Sequence, residues 1–209
     1  MKKILTLLAL TISFIMNAQL TAVTEGGNTG QRLSTSNASN HGNIGSDAVD
    51  LSVQSLASST RGATGFKAVA MGSNTTASGS ISTAIGNANE ASGTFSTSMG
   101  VSTLASGYGS TSMGNYTVAN GWHSTAMGSN TTASGSYSTA IGLYATASDY
   151  SSTVIGQHNS SGSSVTNNAT SFSTSNTAFV IGNGENSDNK SDAFKVMFDG
   201  TTTIAGDLT

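Results

Sequence analysis

Cysteine is absent from the 209-residue chain, so neither a disulfide framework nor a thiolate metal site is available. Charge is nearly as scarce. Charged residues make up 8% of the sequence, and between Ala70 and Ser148 only Glu90 carries one. A helical surface so poor in charge would be unusual, whereas stacked strands bearing Ser, Thr and Asn ladders tolerate it. The signatures of catalysis are missing as well: no Gly-x-Ser-x-Gly elbow, His-Glu-x-x-His pair or phosphate-cradling glycine loop occurs. His41, His123 and His158 are scattered without ligand spacing and read as solvated turn residues. No catalytic, cofactor or metal site is assigned, and the chain reads as a non-enzyme.

No apolar run is long enough to cross a bilayer. The longest, Ile4 to Met16, falls short of the ~20 residues a span needs. Preceded by Lys2 and Lys3 and followed by Ala18, it reads as a signal peptide over residues 1–18, which places the mature chain at the cell surface or outside the cell without a membrane span. Loss of Lys2 and Lys3 takes the formal charge from -3 to -5. That balance argues against nucleic acid and against an electrostatic hold on anionic membrane.

What is present is a beat of fourteen residues. Met71-Gly72, Ile85-Gly86, Met99-Gly100, Met113-Gly114, Met127-Gly128, Ile141-Gly142 and Ile155-Gly156 keep it, and Ala77-Ser78-Gly79, Ala91-Ser92-Gly93 and Ala105-Ser106-Gly107 keep it between them. A fixed period means one small unit stacked many times. Fourteen is also two heptads, but two or more glycines per unit and the wealth of Thr and Ser exclude a long helix. A disordered Ser/Gly linker would not hold Met or Ile in register. Two short strands joined at the glycines, forming one turn of a narrow β-roll, fit the unit. Six regular coils would then extend roughly 29 Å at the usual strand spacing.

Strand alternation sends Thr and Ile of Ser82-Thr83-Ala84-Ile85 one way and Ser and Ala the other. The large apolar column, Met71, Ile85, Met99, Met113, Met127, Ile141 and Ile155, is expected to form the repeat core inside the roll. The small column, Ala70, Ala84, Ser98, Ser112, Ala126 and Ala140, is expected to press against a neighbouring copy.

The chain divides into the signal peptide, a cap or leader over residues 19–55, the repeats over 56–156, a Ser/Asn-rich insertion over 157–177, and a C-terminal strand and hairpin cap over 178–209. Terminal repeats of a solenoid must differ from interior ones, and Asp199-Gly200 between alternating runs signals a hairpin. Thr209 follows so soon that either a terminal cap or a truncated longer chain is expected.

The unit Ser-Thr-Ala-Ile/Met-Gly-x-x-x-x-Ala-Ser-Gly, seen at Ser82 to Gly93 and again from Ser138 with Asp149 in the glycine place, resembles the head repeats of the YadA-like trimeric autotransporter adhesins. The resemblance implies an all-β, left-handed parallel β-roll, three chains side by side as a homotrimer, and adhesion to a host or environmental surface protein or glycan. The flanking segments look like those of repeat-rich surface proteins of Bacteroidetes-type bacteria. Neither a heptad stalk nor a run of amphipathic anchor strands follows the head here.

Phe66, Phe95, Tyr108, Trp122, Tyr137 and Tyr150 recur at one edge of the coil, at two adjacent positions. Partly exposed, they are candidates for contact with glycans or a protein partner; otherwise they cap the edge of the roll. Glu185 to Asp192 is rich in oxygen donors but lacks the order of a calcium loop, and reads as solvated. Thr83, Thr97, Thr111, Thr125, Thr139 and Thr153 form a column of the kind that ice-binding β-solenoids resemble, with an imperfect companion at Thr75, Asn89, Thr103, Thr117, Thr131 and Ala145. An ice-binding protein and a purely structural fibre segment are therefore the alternatives to an adhesin.

Overall fold

The computed structural model describes residues 20–206; the signal peptide assigned to residues 1–18 lies outside the described residues. The chain enters as an antiparallel pair, β1 (Leu20–Glu25) and β2 (Asn28–Leu33), makes a 3₁₀ turn at Ala38–Asn40, and begins to wind at β3 (Val49–Val53) and β4 (Gly62–Ala63). Each following coil supplies one five-residue and one two-residue strand. These are β5 (Val69–Ser73) and β6 (Thr76–Ala77), β7 (Thr83–Asn87) and β8 (Glu90–Ala91), and β9 (Thr97–Val101) and β10 (Leu104–Ala105). Then come β11 (Thr111–Asn115) and β12 (Val118–Ala119), β13 (Thr125–Ser129) and β14 (Thr132–Ala133), and β15 (Thr139–Leu143) and β16 (Thr146–Ala147). β17 (Thr153–Gln157), β18 (Thr177–Asn183), β19 (Asp192–Met197) and β20 (Thr202–Ile204) follow.

The long strands build one 13-stranded sheet, parallel from β2 to β18, and the two-residue strands build a second sheet of seven. The protein is an all-β parallel solenoid of 14-residue coils, with Thr, Met or Ile and Gly of each coil in register with their equivalents in the next. Glycine is obligatory in two columns. A Cβ at Gly79, Gly93, Gly107 or Gly121 would run into the carbonyl of the glycine one coil further on, and so would one at Gly86 or Gly114, which also hold φ of +124° and +125°. The backbones of adjacent coils touch there, and only the residue without a side chain permits it.

The two faces of the long sheet are the reverse of the sequence expectation. Ala70, Ala84, Ser98, Ser112, Ala126 and Ala140 are wholly buried inside the roll. Met71, Ile85, Met99, Met113, Met127, Ile141 and Ile155 point outward, with Met71 and Ile141 each 40% exposed and the others half-buried. The reason is the width of the coil. A two-residue strand closes over a five-residue one, and the space between is filled by Ala77, Ala91, Ala105, Ala119 and Ala133 from the short sheet meeting the small column of the long sheet. A Met there would overpack an interior already at contact distance.

The apolar core forms two clusters, one from Ile44 to Ala91 and one from Ala119 to Val180. Between them the interior is hydroxylic: Ser98 Oγ lies 2.6 Å from Thr103 Oγ1, and Ser112 Oγ lies 2.7 Å from Thr117 Oγ1. Where the first residue of that pair is alanine, as at Ala70 and Ala126, the hydroxyls of Thr75 and Thr131 are buried without a partner.

Two enlarged coils flank the regular ones. Leu51 pairs with Met71, twenty residues away instead of fourteen, and Ile155 pairs with Ile181, twenty-six away. Parallel winding thus extends beyond residues 56–156 on both sides. Beyond β18 the sheet continues antiparallel through β19 and β20, which join across Asp199-Gly200.

Candidate functional site

The outer face of the long sheet runs along all thirteen of its strands. Strand register places Leu51, Met71, Ile85, Met99, Met113, Met127, Ile141, Ile155, Ile181, Phe194 and Ile204 in a single row. The row of Thr83, Thr97, Thr111, Thr125, Thr139 and Thr153 runs beside it, half-buried on the same face. The companion column at Thr75, Asn89, Thr103, Thr117, Thr131 and Ala145 is buried inside the roll. It serves as an internal hydrogen-bonding ladder: Asn89 Oδ1 accepts from the N–H and hydroxyl of Thr103, both at 2.9 Å.

The aromatic residues gather at the corner that follows the short strand. Ring centroids step from Phe95 to Tyr108 (5.4 Å), Trp122 (5.6 Å), Tyr137 (6.0 Å) and Tyr150 (5.5 Å), mostly edge to face. Phe66 stands apart, with the Lys67 ammonium 5.0 Å from its ring centre. His123 belongs to the ladder, stacked on Tyr137 at 5.5 Å and edge-on to Tyr108 at 5.3 Å. Its place on the same fourteen-residue beat as Phe95 and Tyr137 is the signal that sequence reasoning passed over.

The other two histidines are not solvated. His158 is buried and stacks on Tyr144 at 4.7 Å. His41 is buried at the N-terminal end in an ionic network. Its Nδ1 lies 2.8 Å from Asp50 Oδ2; Arg32 Nη1 donates to Glu25 Oε1 at 2.7 Å, and Arg32 Nε sits 3.6 Å from Asp50 Oδ2. Arg32 and Asp50 are register partners, so they extend the inward column that Ala70 continues. Burial pushes the Asp50 carboxyl up, but hydrogen bonds from His41 and Ser52 outweigh it and hold it below the ordinary aspartate value. Glu25 is also held low: burial raises it, while Arg32 and the Ile44 N–H lower it further. The Ser52 hydroxyl contacts Asp50 rather than His41, so the three are not ordered as nucleophile, base and orienting acid.

The six extra residues of the first enlarged coil overhang the short sheet and wall an open cleft of about 1040 Å³, lined by Ser39, His41, Ser58, Arg61, Thr76 and Glu90 among others. At the opposite end, Asp149 occupies the place of glycine in its column. The next coil leaves that position free, and the buried carboxylate accepts the N–H groups of Thr166 (2.6 Å) and Thr177 (2.8 Å). Asp192 similarly accepts from Ser160 and Ser161, both at 2.8 Å. Among the described residues no group of three or more His, Cys, Asp and Glu side chains is arranged to hold a metal, and no helix is long and apolar enough to cross a membrane.

The fourteen-residue stack with its outward apolar row defines a class of repetitive parallel β-solenoid. Residues 63–159 match the YadA head domain repeat in overlapping windows at 63–89, 82–103, 91–117, 105–131, 119–145 and 133–159. The last four windows advance by one coil each, and this part of the chain is a YadA-like head domain. No curated protein matches the chain.

Proposed function

We propose that the chain is the exported head of an adhesin, located at the cell surface or outside the cell, which assembles as a homotrimer and binds host or environmental surfaces without catalysing a reaction. The observation that carries this reading is the unbroken apolar row from Leu51 to Ile204. Ten strand steps make it about 48 Å long. A contiguous apolar strip of that length marks an association surface rather than scattered exposure. YadA-type heads typically form trimers, and three copies meeting through this face would bury the row. Corners and short sheets would then remain for contact with a surface.

Light scattering on mature residues 19–209 tests the assembly, with a three-chain mass expected and a stable monomer against it. Retention of the protein on glycoprotein-coated surfaces tests adhesion. A trimer that is retained on no such surface would favour a structural fibre segment. The half-buried threonine row on the outer face is what speaks for ice binding. It stands beside bulky Met and Ile instead of a second threonine row, so no thermal hysteresis is expected.

A further inference from the structure

The aromatic corner is built against the preference of its own backbone. Phe95, His123 and Tyr137 hold φ of 60°, 52° and 61°, the left-handed region in which bulky residues are rare, while Gly109 occupies the equivalent place one coil after Phe95 at φ 63°. The fold therefore accepts glycine at this corner, yet three of the coils place rings there at a conformational cost. The left-handed turn recurs in every coil, with Lys67, Ile81 and Ser151 at the same place and φ of 51°, 56° and 55°, so winding imposes the conformation and the ring is what these three coils add. The rings stay accessible: Trp122 is 49% and Phe95 48% exposed.

From these observations we infer that the corner from Phe95 to Tyr150 is a binding strip for an extended, uncharged polysaccharide, an inference that rests on the adhesive reading and names its ligand class. The strip is linear, with ring steps of 5.4 to 6.0 Å, comparable with the length of one pyranose residue in an extended chain. Ring faces suit the apolar C–H side of a sugar, while Tyr hydroxyls and the Trp N–H suit its hydroxyl groups. Between Phe95 and Tyr150 the one formal charge is Asp149, whose carboxylate is buried, so nothing along the strip recruits a polyanion or polycation. A polysaccharide lying on it is held by stacking and hydrogen bonds, and its binding is insensitive to salt.

Affinity electrophoresis of the mature protein tests this, in gels containing hydroxyethylcellulose, galactomannan or the polyanion alginate, alongside Trp122→Ala and Tyr137→Gly. Retardation by a neutral polymer that persists at high salt is expected, weakened roughly fivefold to thirtyfold in each variant. Tyr137→Gly is also expected to melt no lower than the wild type, because glycine suits the corner. A ring that only caps the edge would instead lower the melting temperature and leave binding unchanged. Retardation by alginate alone, or by none of the polymers, overturns the inference. If the wild type and both variants still adhere equally to glycoprotein-coated surfaces, the polysaccharide strip falls while the adhesive reading stands; if the wild type adheres to nothing, both fall.

Discussion

The regular stack and its two ends solve the same problem with opposite chemistry. Between Gly62 and Ala147 the interior is Ala, Ser, Thr and Gly with the one exception of Asn89, and adjacent coils meet backbone to backbone. At the N-terminal end the same inward column becomes Asp50 and Arg32, while at the C-terminal end it widens to Val154 and Val180 and reaches Lys195. Inside the stack each coil satisfies the backbone groups of its neighbour, so a charge would have no partner and a larger side chain no room. Where stacking stops, unpaired backbone groups must be met by something other than another coil. Glu25 accepts the Ile44 N–H, and Asp149 accepts those of Thr166 and Thr177.

Breaking the stack should have the largest effect. Gly107→Ala drives a methyl group into the Gly121 carbonyl without any change of φ region, and a loss of about 4 kcal/mol or more is expected in chemical denaturation. A loss below about 1 kcal/mol would show that the coils can move apart there. Asp50→Asn at the N-terminal end comes next, because it leaves Arg32 buried with less compensation. About 3 kcal/mol is expected, read as a lowered melting temperature. The same network gives a pH signature. Both Asp50 and Glu25 titrate lower when folded than when unfolded, so their stabilisation is full above the ordinary carboxylate range and is lost as the pH falls through the folded values. Melting of the wild type should therefore fall steeply in acid, and Asp50→Asn should flatten that fall.

At the other end, Asp149→Ala removes the acceptor for two backbone N–H groups. It should cost about 1 to 3 kcal/mol and open residues 158–176 to proteolysis before the stack unfolds. The smallest effect runs the opposite way. Ala126→Ser should supply the orphaned Thr131 hydroxyl with the partner that Ser112 gives Thr117, adding about 0.5 to 1.5 kcal/mol of stability.

The period, the parallel register and the gathering of aromatics at one edge were all legible in the sequence, because each depends only on counting to fourteen. Which face of the strand lies inside was not. Alternation gives parity but no sign, and the habit of assigning bulky apolar residues to the core fails when the core is only one alanine deep on each side. The strict smallness of Ala70 to Ala140 was the stronger clue, since an interior limited by backbone contact tolerates nothing else. The network of Arg32, His41 and Asp50 was illegible for a different reason. Its members come from non-repeating text, and winding alone brings them together. Asp149 could be seen to replace a glycine, but its role depends on a coil that swings away.

The arrangement of small residues inside and large apolar residues outside is tested most directly by the solution mass of Met113→Asp, measured by light scattering on material whose circular dichroism is recorded in the same buffer. A particle smaller than the trimer proposed for the wild type, with β-sheet content retained, is the expected result. Loss of the β signal together with aggregation would place Met113 in the core of the roll and contradict the account.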